Sequence, residues 1–184
     1  MTAADQPHTL RVLAFDDPLR AQELLLACVR LQRDDKMGLT DAVFVHRDPE
    51  TGKVRVQETV DPTPGTSAIE GGFWGLLIGT LLLGPIGGLA VGAVAAGGGA
   101  VAGKLIDLGV PQSFLDEVKD AIPAGATALV LQTTSLDLEA WGQELARFPE
   151  ARPLSVDLPG DAEVRLAQDF TPHEDVEVMP RTGS

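Results

Sequence analysis

The chain has 184 residues, with 27 acidic and 14 basic side chains, and therefore a formal net charge of −13. This length suits one ordinary domain, or one domain that carries an insertion. A single cysteine excludes an intramolecular disulfide framework and a zinc site built from several cysteines, and the acidic excess argues against nucleic acid as a partner, because affinity for a phosphate backbone comes from Lys and Arg.

The first part of the chain, residues 9–60, predicts a strand, a helix and a β-hairpin. Asp17 followed by Pro18 is typical of a helix start, since aspartate caps the first turn and proline suits the first helical position. Leu24, Cys28 and Leu31 then recur at spacings of 4 and 3, which predicts a helix with one apolar face. The predicted elements are a strand at 9–15, a helix at 19–33 and two hairpin strands at 42–46 and 53–60, joined by a turn at 48–52.

Residues 111–158 predict a second unit, of helix, strand, helix and strand. Pro123 and Gly125 end its first helix, because proline removes a backbone donor and glycine accepts the conformation of a helix end. Ser135 is the predicted cap of its second helix. The predicted elements are a helix at 111–122, a strand at 126–132, a helix at 136–148 and a strand at 154–158. Residues 159–184 are acidic and poor in apolar side chains, so we expect a solvated tail.

The order of these elements predicts an α+β fold. Without the segment between the two units, the first six elements read βαββαβ, the ferredoxin-like order, with one further helix and strand behind them. We therefore expect a ferredoxin-like core that is interrupted between its third strand and its second helix.

The interrupting segment, 67–108, predicts a helical hairpin rich in Gly and Ala. All 41 charged side chains lie outside 71–103, a window of 33 residues that holds 12 of the 20 glycines. Ser67 and Glu70 match a capping box, which opens a helix at 68–83. Gly84 and Pro85 interrupt this helix, and a second arm runs over 86–108. The first arm would be about 24 Å long, short of the ~30 Å hydrocarbon core of a bilayer.

Small residues repeat at four-residue spacing along both predicted arms. Glycine inside a helix costs about 1 kcal/mol relative to alanine in water, so the pattern needs close helix packing to offset that loss. The sequence therefore predicts homo-oligomerisation through the hairpin. The predicted packing positions are Gly71, Gly75, Gly79, Gly84, Gly88, Gly92, Ala96 and Ala100.

Two interpretations of the hairpin stay open. In the first, it enters the inner (cytoplasmic) membrane with both αβ halves cytosolic, Glu70 and Lys104 on the cytosolic side and the uncharged turn at Gly84 and Pro85 on the far side. Residues 1–9 lack a basic stretch followed by an apolar one, so we expect no secretory signal and a cytosolic αβ domain. In the second, the hairpin is buried at the centre of a soluble oligomer, a cytoplasmic particle. The second arm favours this, because its Gly and Ala gain little from transfer to lipid.

No catalytic, metal or cofactor site emerges from the sequence. Asp16 and Asp17 are adjacent carboxylates, but Asp17 already has a structural role as a helix cap. The histidines at 8, 46 and 173 are scattered over three parts of the chain, and Cys28 is predicted to be a small core residue. We therefore expect a protein that is not an enzyme.

Several motifs, in order, resemble the bacterial and archaeal family of uncharacterised membrane proteins called DUF1269. They are the strand end Phe15-Asp16-Asp17, the hairpin 41–54, the run 72–79, the stretch 103–110 and the strand entry 123–129. The resemblance covers roughly 10–158. It implies a domain with a glycine-zipper hairpin, usually membrane-associated, and it brings no activity and no catalytic residues with it.

The expected function is that of a membrane-associated scaffold or stress-related assembly protein, homo-oligomeric and anchored through the hairpin. The alternative is a soluble self-assembling structural protein. A third class, a ligand-binding or sensory domain that uses the sheet, has no site visible in the sequence.

Overall fold

A computed structural model describes residues 7–52, 54–59, 77–78 and 106–162. These residues form an α+β architecture around one antiparallel five-stranded sheet, so the predicted class is confirmed. The strands are β1 (His8–Phe15), β2 (Met37–Arg47), β3 (Val54–Glu58), β4 (Thr127–Leu136) and β5 (Leu154–Leu158). The helices are α1 (Pro18–Arg33), α2 (Gln112–Ala121) and α3 (Leu138–Leu145).

The strand order is β3-β2-β4-β1-β5, and it joins both halves of the chain in one sheet. Strand β4 lies between β1 and β2 and pairs antiparallel with each, so that Leu129 is opposite both Leu13 and Phe44. β3 pairs with β2 at one side of the sheet, and β5 pairs with β1 at the other. The centre of the sheet therefore depends on a strand that follows segment 67–108.

Because side chains alternate along a strand, the sheet has two apolar faces. The α1 face is covered by α1 and α3, and its buried residues are Leu13, Phe15, Ala21, Leu24, Ala27, Cys28, Leu31, Met37, Ala42, Leu129, Leu131, Trp141 and Phe148. The insertion face is covered in part by α2, and its buried residues are Leu10, Val12, Val43, Val45, Leu77, Ile78, Leu108, Val110, Phe114, Leu115, Val118, Ile122, Ala126, Ala128, Val130, Leu158 and Ala162.

Helix α1 begins as its sequence predicts. The Asp17 Oδ1 accepts a hydrogen bond from the Leu19 N–H at 2.8 Å, and Pro18 occupies the first turn, where a missing N–H has no cost. Cys28 and Leu24 are fully buried on the α1 face, as the spacing predicted. The helix ends with Arg30 and Arg33 in its last turn, where cations interact favourably with the helix dipole.

The predicted turn at 48–52 is also present. The Asp48 Oδ1 accepts hydrogen bonds from the backbone N–H groups of Glu50 and Thr51 and from the Thr51 hydroxyl. These bonds, with the Thr51 backbone donor contributing most, lower the pKa of Asp48. Gly52 closes the turn with φ of 66°, a conformation that favours glycine.

The start of β2, the end of β4 and the start of α3 differ from the prediction. β2 begins at Met37 rather than at 42, because pairing of Met37 with Leu136 extends the strand through a stretch expected to be a connection. The same pairing extends β4 to Leu136, so Ser135 lies in a strand and the prediction that it caps a helix is wrong. Helix α3 starts at Leu138 instead, and Asp137 caps it by accepting from the N–H groups of Glu139 and Ala140 at 3.1 Å each.

Most of the predicted helical hairpin, 67–108, lies outside the described residues, which include only 77–78 and 106–108 of it. Over the parts of the chain that the structure describes, no helix is long and apolar enough to cross a membrane.

Candidate functional site

The predicted packing positions are not placed by the structure. All eight of them, Gly71, Gly75, Gly79, Gly84, Gly88, Gly92, Ala96 and Ala100, lie outside the described residues. Contacts between this segment and the αβ domain are therefore described only at 77–78 and 106–108.

Two residues of the predicted first arm belong to the core of the αβ domain. Leu77 and Ile78 are helical, are 0% and 1% exposed, and pack on the insertion face with Val12 and Val43 among others. Full burial of such a side chain contributes roughly 1.5–3 kcal/mol to stability. Leu77 and Ile78 cannot face lipid while they occupy these positions.

The end of the second predicted arm reaches the same core. Leu108 is 8% exposed, Val110 is 1% exposed, and both belong to the insertion face. Gly109, between them, has φ of 92°, a backbone conformation typical of the residue that ends a helix. The insertion face thus takes side chains from both arms.

His8 and His46 do not converge on one site. His8 shares the insertion face with Leu10, because both are even-numbered residues of β1, whereas His46 lies opposite Thr127 on the α1 face. His173 lies outside the described residues. Among the residues that the structure describes, no group of three or more His, Cys, Asp or Glu side chains could hold a metal ion.

Cys28 is held in an unreactive form. Its side chain is fully buried on the α1 face, and desolvation raises the pKa of its thiol to about 12. Because the thiolate is the nucleophile, a thiol with this pKa is inert near neutral pH.

A polar cleft that the sequence did not reveal opens on the α1 face beside the start of α1. It has a volume of about 270 Å³. Its lining residues are Pro18, Gln22, Phe44, His46, Arg55, Gln57 and Thr127. The alternation of β3 placed Arg55 and Gln57 on one side of a strand, but no local pattern indicated that α1 would leave that side uncovered.

Residues 68–171 match the family described as "Protein of unknown function (DUF1269)". The match covers more than half of the chain and includes segment 67–108 almost entirely, α2, β4, α3 and β5; the motifs before residue 68 that carried part of the resemblance lie outside it. No curated protein and no solved structure matches the chain. On the strength of the match over 68–171, this chain belongs to the DUF1269 family.

Proposed function

We propose that this chain is a non-enzymatic structural protein that assembles with copies of itself through the glycine-rich segment 67–108. The observation that carries the proposal is the burial of Leu77 and Ile78 on the insertion face. If the first arm is a helix, this burial assigns the side that carries Leu77 and Ile78 to its own domain, which supports a partner on another side.

If the first arm is a helix, as the sequence predicts, most of its glycines would fall on a different side from the buried pair. At 100° per residue, a helical arm would place Gly75 and Gly79 about 110° and 150° from the mean direction of Leu77 and Ile78, and Gly71 about 70° from it. A helical first arm that packs on the sheet through Leu77 and Ile78 would therefore direct Gly75 and Gly79 away from that contact, with Gly71 at its edge. The side that carries Gly75 and Gly79 is the surface on which a second helix would pack.

The energetics favour a partner on that side. A dozen glycines in helices would cost on the order of 10 kcal/mol relative to alanine. Close approach of two backbones offsets this loss through van der Waals contact and weak Cα–H···O hydrogen bonds. Glycines on more than one side of the second arm, such as Gly87, Gly97 and Gly99, fit contacts with several copies.

Insertion into a lipid bilayer is the second candidate setting for the assembly. It is favoured by the uncharged window of 71–103 and by the bulky side chains of the first arm. A membrane-embedded first arm would have to withdraw Leu77 and Ile78 from the insertion face. That withdrawal would leave the apolar side chains around them on the insertion face, among them Val12 and Val43, next to a cavity or exposed to water, so the assembly buried among αβ domains is the setting that we favour.

We also propose a ferredoxin-like core for the αβ domain, with different members from those that the sequence predicted. The supporting feature is a pair of interleaved units: β1-α1-β2 has β4 between its strands, and β4-α3-β5 has β1 between its strands. The inserted part then comprises β3, segment 67–108 and α2. In this arrangement the insertion separates the second and third core strands.

The test of assembly is Gly75→Leu in the full chain, with Gly142→Leu as the matched control. Gly142 is an exposed helical glycine of α3, and a Cβ built there meets nothing within 4 Å. We expect light scattering to show a smaller particle for Gly75→Leu and an unchanged one for Gly142→Leu, with far-UV circular dichroism similar in both. A wild-type chain that is monomeric in buffer and in mild detergent would refute the assembly.

The setting is tested separately by a cysteine at Gly84 in a Cys28→Ser background. Reaction with an impermeant thiol reagent from outside intact cells would place the turn beyond the membrane and overturn our preference. Labelling only after lysis, with the protein in the soluble fraction, would support the buried assembly.

A further inference from the structure

The polar cleft on the α1 face lies where the helix layer stops short of the sheet. Pro18 and Gln22 of α1 form one wall, and Arg55 and Gln57 of β3 form the other. These four residues are exposed, whereas Phe44 and His46 are half-buried and Thr127 is buried. The cleft is thus open to solvent at its walls and closed at its base.

The sheet aligns three polar side chains across the base of the cleft. Arg55 is opposite His46 on β2, and His46 is opposite Thr127 on β4. Directly opposite side chains in an antiparallel pair have Cβ atoms about 4.5–5.5 Å apart. The His46 Nδ1 and the Thr127 Oγ1 are hydrogen-bonded at 3.1 Å, which holds the imidazole in place and leaves Nε2 without a partner among the described residues.

Arg55 has no ion-pair partner among the residues that the structure describes. No lining residue of the cleft is a carboxylate. The Arg55 charge contributes to the lowered pKa of Asp48, but the Asp48 Oδ1 already accepts three hydrogen bonds in the turn. The guanidinium therefore keeps donors for an external acceptor.

The donors of the cleft are side chains and not the start of α1. The Leu19 N–H is occupied by the Asp17 carboxylate, and Pro18 has no N–H. Arg55 offers a planar fork that matches a carboxylate or phosphate in two parallel hydrogen bonds, and the amides of Gln22 and Gln57 add neutral donors. Phe44 and Pro18 supply apolar surface beside them.

We propose that this cleft binds a small organic anion, with its carboxylate or phosphate on Arg55 and its apolar part against Phe44 and Pro18. A volume of about 270 Å³ is near the lower end of ligand pockets, which restricts the ligand to the size of a small metabolite. The proposal is independent of assembly through segment 67–108, since the cleft lies on the opposite face of the sheet.

Isothermal titration calorimetry on the full chain tests this with benzoate and phenyl phosphate as probes and with benzyl alcohol as the uncharged control. The two anions distinguish a carboxylate site from a phosphate site. We expect saturable binding of at least one anion and none of the alcohol. Arg55→Gln should weaken binding by about 10- to 100-fold, the range expected for loss of a charged hydrogen bond.

Arg33→Gln is the matched variant, because Arg33 is an exposed arginine at the far end of α1 that does not line the cleft. It should bind like the wild type, and circular dichroism should show that both variants fold. Equal binding by Arg55→Gln and wild type would overturn the proposal, as would benzyl alcohol binding as tightly as the anions, or no saturable binding of either anion.

Discussion

The two faces of the sheet are covered by different kinds of chain. On the α1 face, α1 and α3 each follow directly on a strand of the sheet, and ion pairs connect α1 to α3 and to the turn after it. Arg20 pairs with Glu150 at 2.7 Å, and Arg30 pairs with Glu144 at 3.4 Å. The Arg20 guanidinium also lies 4.5 Å from the centre of the Phe148 ring.

The insertion face is covered by α2, which comes directly before β4 in the chain, and by residues of segment 67–108, which lies between β3 and α2. Helix α2 contributes Phe114, Leu115 and Val118, and segment 67–108 contributes Leu77 and Ile78. This face is fully covered only when Leu77 and Ile78 of the inserted segment pack on it. The α1 face therefore follows from local amphipathic patterns, whereas the insertion face couples the fold of the αβ domain to the glycine-rich segment.

The largest expected effect comes from deleting one buried leucine on each face. Leu24 on the α1 face and Leu77 on the insertion face are both 0% exposed. Leu24→Ala and Leu77→Ala should each lower the free energy of unfolding by about 2–5 kcal/mol, because each leaves a cavity. Urea denaturation measures this, with Ile106→Ala as the control, since Ile106 is 46% exposed. A loss of stability for Leu77→Ala as small as that for Ile106→Ala would contradict the claim that Leu77 stabilises the insertion face.

A smaller effect is expected at the cap of α1. Asp17→Ala removes the acceptor of the Leu19 N–H and should lower the free energy of unfolding by about 1 kcal/mol. Asp16→Ala changes an exposed neighbour that caps nothing, and urea denaturation should find it close to wild type. If the two variants lose equal stability, the hydrogen bond from the Leu19 N–H to Asp17 does not stabilise the start of α1.

A gain in stability is expected at Gly142. This residue lies inside α3, and a Cβ there meets nothing within 4 Å. Gly142→Ala should raise the free energy of unfolding by about 0.5–1 kcal/mol through helix propensity, measured as a higher Tm. Gly75→Ala should instead weaken the assembly, because the proposed role of Gly75 is close packing. A rise in Tm without any change in particle size for Gly75→Ala would remove the difference between the two glycines.

The smallest expected effect is a loss of stability at acidic pH through Asp137. The Lys36 ammonium, 2.8 Å from Asp137, lowers the pKa of that carboxyl, and backbone donors of α3 lower it further. The folded state therefore binds this proton less readily than the unfolded chain, and the stabilisation present above the ordinary pKa of 3.8 is lost as the pH falls through the folded value.

Asp137→Asn keeps a capping oxygen and removes the charge. Its Tm should consequently fall less than that of the wild type between pH 7 and pH 3. Asp48 and Glu150, whose pKa values are also lowered, titrate in both proteins and cancel in the comparison. Parallel Tm curves for the two proteins would show that the Lys36 contact contributes nothing to acid sensitivity.

The boundaries that the sequence predicted well are those with a local chemical signal. Asp17 and Pro18 mark the start of α1, the Asp48 turn separates β2 from β3, and β5 was predicted at its observed bounds. The prediction that Ser135 caps a helix failed because it used only the local signal of a serine before a helical pattern. The pairing of Leu136 with Met37, which keeps Ser135 in a strand, joins residues that are far apart in the sequence. The alternation of β3 predicts that Arg55 and Gln57 share one side of the strand, but the cleft depends on how far α1 extends over β2.

The sequence by itself determined the class of the fold, the apolar stripe of α1 and the separation of all charge from 71–103, because periodicity and composition act over a few neighbouring residues. Only the tertiary structure decided that β4 lies between β1 and β2, that Leu77 and Ile78 join the insertion face and that Arg55, His46 and Thr127 align in one row. These arrangements depend on contacts between residues tens of positions or more apart. Their free energy arises when whole faces are buried together, and no local pattern records which distant strand completes the sheet.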